Sequence, residues 1–210
     1  MVFISHKKTP PKTTAGELED HKIFRMENPR APFLLAAFLS SVLPPGGNQT
    51  LIFLGIGSDR STGDCLGPLV GSALEERVSS EMVIMGTLKQ PVHALNLQEK
   101  VKAIKDRYSS PFILAVDAAL GRVDNVGQIK VGKGPLVPGL AVNKRLPSVG
   151  DLHITGTVNV SGCLEFLVLQ NTRLFLVMNL AQTITAGIHM ALKKDFSYSS
   201  MLSSDLSEVP

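Results

Sequence analysis

The sequence has no tryptophan and only two tyrosines. It therefore lacks the aromatic platforms on which single-stranded nucleic acids stack. Net charge is also scarce: it is +3 with histidine neutral, too little for a surface that tracks phosphates. Much of the excess is local, with His6, Lys7, Lys8 and Lys12 close together near the N-terminus, where a solvated arm is the ordinary reading. Cysteine is rare too. Cys65 and Cys163 form neither a C-x-x-C pair nor a disulfide framework, and reduced thiols fit an intracellular compartment. No long apolar run is evident at the start. "MVFISHKKTPPKTT" lacks the apolar core of a secretory leader, and "APFLLAAFLSSVL" is too short to span a bilayer. A soluble cytoplasmic protein with no membrane contact is expected.

Familiar nucleotide motifs are missing as well. "GIGSDR" begins like G-x-G-x-x-G, but Arg60 stands where the last glycine would let helix and strand pack closely. There is no G-x-x-x-x-G-K-[ST] phosphate loop and no G-x-S-x-G nucleophile elbow.

What is present is a pattern of apolar strands alternating with helices. Hydrophobic residues make up 44% of the chain and charged residues 19%, enough apolar material for a sizeable core. Residues 1–25 read as a mobile N-terminal arm, 26–194 as a single α/β domain, and 195–210 as a Ser-rich C-terminal tail. A first helix runs from near Pro32 to about Leu43 and stops at "PPGG" (44–47). "TLIFLGI" (50–56) reads as a strand buried on both faces. Leu66, Leu69, Val70, Ala73 and Leu74 follow at helical spacing. A short strand at 81–86, an amphipathic helix at 96–108 and a buried strand, "PFILAVDAAL" (111–120), come next. Residues 126–139 read as an irregular strand, and 142–162 as an extended loop with at most a short strand. The remaining expectations are a helix at 163–171, a third buried strand at 173–180 and a final helix at 181–194. The alternation predicts an α/β/α sandwich around a largely parallel central sheet.

In such sheets, ligands sit beyond the carboxyl ends of the strands. Asp64 and Asp117 both follow or finish buried strands. Alone, Asp64 reads as a helix N-cap. Asp117 is harder to explain structurally, because a carboxylate at the end of "FILAV" needs partners. Together the two suit acid–base hydrolysis, since repulsion between paired carboxylates lets them share a proton. They also suit a divalent metal, with His153 as the third ligand. Asp59 and Asp124 read as turn residues, and His93 and His189 as packing or surface histidines. Cys65, next to Asp64, could be a nucleophilic thiol, but a small residue beside a helix start is more often simply buried. Asn143, Lys144 and Arg145 form either a solvated basic turn or a substrate-binding group.

Three segments in order, "STGDCLGP" with Asp64, "ILAVDAALG" with Asp117 and "PGLAVNKR" ending at Arg145, resemble the YyaC sporulation protein family over about residues 30–193. That family is similar in turn to the spore germination protease and to the HybD-type hydrogenase maturation endopeptidases. The resemblance implies a three-layer, phosphorylase/hydrolase-like α/β/α fold. It also implies a sporulation-associated peptidase acting on a protein or peptide, with Asp64 and Asp117 as its acid pair. Asn143, Lys144 and Arg145 match the basic loop near the germination protease's active site. The maturation peptidases carry Glu where Asp64 stands, and His153 is the nearest counterpart of their histidine. The expectation is a cytoplasmic protein of sporulating cells with no required cofactor, or with a divalent metal at Asp64, Asp117 and His153, and a homo-oligomer is allowed. The alternatives are a binding protein that kept the scaffold without turnover, and a metal-dependent maturation-type endopeptidase.

Overall fold

The computed structural model describes residues 21–45, 49–78, 80–138 and 147–193. Six strands form one mixed sheet. They are β1 (His21–Arg25), β2 (Thr50–Gly55), β3 (Val83–Met85), β4 (Pro111–Gly121), β5 (Gln128–Lys133) and β6 (Leu152–Val160), in the spatial order β1-β5-β6-β4-β2-β3. β3, β2, β4 and β6 run parallel, and β5 and β1 close one edge in antiparallel pairing. The predicted α/β/α architecture with a largely parallel sheet is what the chain adopts.

Each face of the sheet carries its own apolar core. On one side, Phe53, Leu114, Ile129 and Ile154 of the strands meet Leu35 and Leu39 of α1 (Ala31–Val42), Val70 and Leu74 of α2 (Leu66–Glu75), and Ile184 and Ile188 of α5 (Leu174–Lys193). On the other side, Ile52, Leu54, Ile113 and Ala115 meet Leu97 and Ile104 of α3 (Leu97–Arg107). Burial on both faces explains why β2 and β4 read as unbroken apolar runs. A short helix, α4 (Glu165–Gln170), precedes α5.

Three segments differ from expectation. Residues 173–180, predicted as a strand, are the first turns of α5, which continues without a break to Lys193. An apolar run of that length cannot be assigned by its own periodicity. Joined to the next segment, it shows a helical stripe of Val177, Ala181, Ile184, Ile188 and Ala191, all buried. The merged helix is long and apolar enough to cross a membrane by length and composition, but half of it is buried inside the domain. Residues 152–160, inside a segment predicted as an extended loop with room for a short strand, are the nine-residue interior strand β6. Its buried Leu152, Ile154, Gly156 and Val158 alternate with His153, Thr155, Thr157 and Asn159, the period-2 signature of a strand. His21–Arg25, placed in the N-terminal arm, form the edge strand β1 against β5.

α2 lies almost on the backbone of the sheet. A Cβ at Gly67 would collide with the Ile56 carbonyl oxygen, and would stand 2.5 Å from the Ile56 nitrogen and 2.8 Å from the Val116 carbonyl oxygen. Gly67→Ala therefore has to lift the helix. It should cost about 1–3 kcal/mol or more, read as a lower urea midpoint at unchanged m-value. A midpoint equal to that of the parent chain would contradict this packing.

Candidate functional site

β2 ends at Gly55, and the chain then folds back on itself before α2. The Gly57 N–H donates to the Val92 carbonyl at 2.8 Å, the Ser58 N–H to the Asp64 carbonyl at 3.0 Å, and the Asp64 N–H to the Ser61 carbonyl at 3.0 Å. Gly57 has φ +138° and faces the Asp64 carbonyl so closely that any Cβ would collide with it. The loop delivers Asp64 on a 3-10 turn, Thr62–Cys65, directly ahead of α2. Neither this turn nor α2 is capped by a side chain, so the N-cap role considered for Asp64 is not the one it plays.

Asp117 arrives from the neighbouring strand. It lies on the face of β4 that carries Ile113 and Ala115, and it is only 7% exposed. Its Oδ1 accepts the Ala118 N–H at 2.8 Å. Burial pushes its pKa from 3.8 up to about 8, and the charge of nearby Asp64 pushes in the same direction. Burial likewise raises Asp64 from 3.8 to about 6, opposed by a main-chain hydrogen bond from Ser58. The two expected acids are thus near enough for the charge of Asp64 to act on Asp117, but Asp117 lies within β4, which continues to Gly121, rather than at the strand end expected for it. The asymmetry between them is ordered: Asp64 ionises first, and its charge then holds the proton on Asp117.

The other candidates fall elsewhere. His153 shares the face of Asp117, since Thr155 is the register partner of Asp117 on β6. Its ring, however, lies over Gly132 of β5, away from β4, and its Nδ1 is 2.9 Å from the Gly134 carbonyl oxygen. Among the described residues no three His, Cys, Asp or Glu side chains gather into a metal-binding group. The donor set Asp64, Asp117 and His153 does not assemble. Asn143, Lys144 and Arg145 lie outside the described residues. Asp59 and Asp124 are exposed in turns, as expected of them. His93 closes the turn ahead of α3, its Nδ1 accepting the Leu95 N–H at 3.3 Å.

Cys65 is buried, and its Sγ donates to the Thr62 carbonyl at 2.9 Å. Burial and the charges of Asp64 and Asp59 raise its pKa, the reverse of what a thiolate nucleophile needs. Cys163 is exposed. Maleimide should therefore label one thiol per folded chain, and Cys163→Ser should abolish the labelling. Labelling of Cys65 at neutral pH would contradict this burial.

The sequence reading missed Thr155 and Ser61. Thr155 stands beside Asp117 in register, and the alternation over 152–159 was the signal for it. Among the described residues nothing hydrogen-bonds the buried Ser61 hydroxyl, one turn before Asp64. A cavity of about 820 Å³ lies elsewhere, lined by Thr50, Leu51, Val83 and Leu192. It opens at the N-terminal ends of β2 and β3, and its one carboxylate, Glu81, is held by Lys193 Nζ at 2.6 Å. The acid pair is the better candidate, because catalytic pKa values are shifted where burial and like charge coincide.

The family model described as a protein of unknown function, DUF1256, matches residues 23–187. The chain belongs to this family. A DUF1256-family sequence over most of its length, it is 49% identical over 156 residues to "Uncharacterized protein YyaC" of Bacillus subtilis (strain 168). That match covers 74% of this chain and 76% of the relative. The fold of this family member is also similar to a [NiFe] hydrogenase maturation protease, HycI, from Thermococcus kodakarensis KOD1. The TM-score is 0.52 at 19% identity, over 74% of this chain and 99% of that one. At that identity the likeness concerns the fold alone.

Proposed function

We propose that this DUF1256 protein is a peptidase that hydrolyses peptide bonds with Asp64 and Asp117 as its acid pair. The observation that carries this reading is the burial of Asp117, 7% exposed, near the charge of Asp64, which pushes Asp117 up to about 8 while Asp64 is raised only to about 6. Near neutral pH one is ionised and the other protonated, which is the arrangement that acid–base hydrolysis requires. Asp64 takes a proton from water as the water oxygen attacks the peptide carbonyl carbon. Asp117 gives its proton to the carbonyl oxygen as the tetrahedral adduct forms. When the C–N bond breaks, Asp64 returns its proton to the leaving nitrogen and Asp117 recovers one from the hydroxyl. Asn143, Lys144 and Arg145 would position the peptide, and the protein would act in the cytoplasm of sporulating cells.

A metal-assisted route through Asp64, Asp117 and His153 is not favoured, because His153 is turned to β5. The test is to incubate the purified chain with an extract of sporulating cells and map new peptide termini by mass spectrometry. Termini made by the parent chain, unaffected by chelator and missing with Asp64→Asn, are expected. Identical termini from both proteins would sink the reading.

A further inference from the structure

α4 and the first turn of α5 carry an apolar face that nothing in the chain covers among the described residues. Leu164 is 72% exposed, Phe166 58%, Leu167 47%, Leu174 56% and Phe175 70%. This is not a loose surface helix. Its other face is fixed, with the Thr172 hydroxyl donating to the Val168 carbonyl at 2.8 Å and the Asn159 side chain reaching Thr172 Oγ1 at 3.2 Å. A Cβ at Gly63 would stand 2.8 Å from both Leu169 Cδ2 and the Leu169 carbonyl oxygen, so α4 is seated against the turn that carries Asp64. Leu164 itself is held at φ 58°, ψ 44°, a left-handed conformation that costs a leucine free energy, with its side chain in solvent. Both costs are offset if a second apolar face covers it.

The size and chemistry of the face select the partner. At about 150–250 Å² for an aromatic side chain, the exposed fractions of these five residues come to on the order of 500 Å² of apolar surface. A stable complex buries about 800 Å² on each partner, so this face would supply most of one side, with its polar rim making up the rest. From residue 160 to residue 175 the charged residues are Glu165 and Arg173, one of each sign. In a two-fold contact each residue meets its counterpart reciprocally. A second copy therefore matches both the apolar centre and the charges at its rim. A lipid surface would call for a basic surround, which this stretch does not have.

We propose that this face is the two-fold interface of a homodimer, with Phe166 and Phe175 central and Glu165 of each copy against Arg173 of the other. The test is sedimentation velocity of the full chain over a micromolar concentration series. The parent chain should sediment as a dimer. Phe166→Glu with Phe175→Glu should be monomeric, with an unchanged far-ultraviolet circular dichroism spectrum. Glu165→Arg and Arg173→Glu should each weaken association at least about tenfold, and mixing the two variants should restore a heterodimer. A parent chain that stays monomeric, or a dimer that survives the phenylalanine changes, would overturn the proposal. So would charge variants that do not recover on mixing, or a monomer that co-sediments with phosphatidylglycerol vesicles.

Discussion

Asp117→Asn should lower peptide-bond cleavage by about 10²–10⁴-fold while the chain stays folded. The amide keeps an oxygen to accept the Ala118 N–H, which Asp117 Oδ1 now accepts at 2.8 Å. What it loses is the transferable proton. Asp64→Asn should cost a similar factor for the opposite reason, since it removes the base. The double variant should be little worse than either single one, because acid and base act in the same step. In the parent chain, activity should rise as Asp64 ionises near pH 6 and fall as Asp117 loses its proton near pH 8, giving a bell between those limits. Activity that rises without limit through pH 9 would show that no protonated group is needed.

The second large effect is on stability. Asp117 has a folded pKa of about 8 against the ordinary 3.8. Between those values the native state holds a proton that the unfolded chain has released. Unfolding is then favoured progressively as pH rises. The contribution is fully present below about pH 4, is lost through about pH 8 and is flat above that. Over that span it is on the order of 5 kcal/mol, a large part of the roughly 5–15 kcal/mol that holds a domain together. Urea titrations from pH 4 to pH 8 should show the parent chain losing stability throughout, while Asp117→Asn keeps only the smaller loss that Asp64 contributes up to about pH 6 and is level above it. The variant should therefore gain on the parent as pH rises. A parent chain whose stability is flat or increasing over this interval would mean that Asp117 is not buried as described.

Much of the scaffold was legible because burial on both faces leaves a plain mark. "LIFLG" and "FILAV" are short apolar runs closed by a Gly or an Asp, as interior strands are, and α3 shows charge opposite an apolar stripe. Legibility failed where one signal serves two structures. "RLFLVMNL" is apolar throughout, and only its continuation to Lys193 shows that the stripe is helical. β6 was hidden by Gly156 and Asn159, which are depleted in strands, although its threonines and its alternation favour one. The glycine is there because Leu66 Cδ2 would lie 2.5 Å from a Cβ at that position. This misreading carried over into the site. With β6 taken as a loop, His153 could be imagined swinging toward the aspartates, whereas a strand fixes its direction, and its ring is over Gly132. The acid pair needed no such detail. Asp64, on the turn that follows β2, and Asp117, within the neighbouring parallel strand β4, are brought toward the same end of the sheet by topology.

The proposed chemistry depends on Asp117 keeping its proton near neutral pH because it is buried near Asp64. Carbon-13 NMR titration of the aspartate side-chain carboxyls reads this directly, with Asp64→Asn used for assignment. The account predicts one carboxyl titrating near 6 and another near 8, with the higher value falling once the charge of Asp64 is removed. Both carboxyls titrating near 4, or a higher value indifferent to Asp64→Asn, would contradict it.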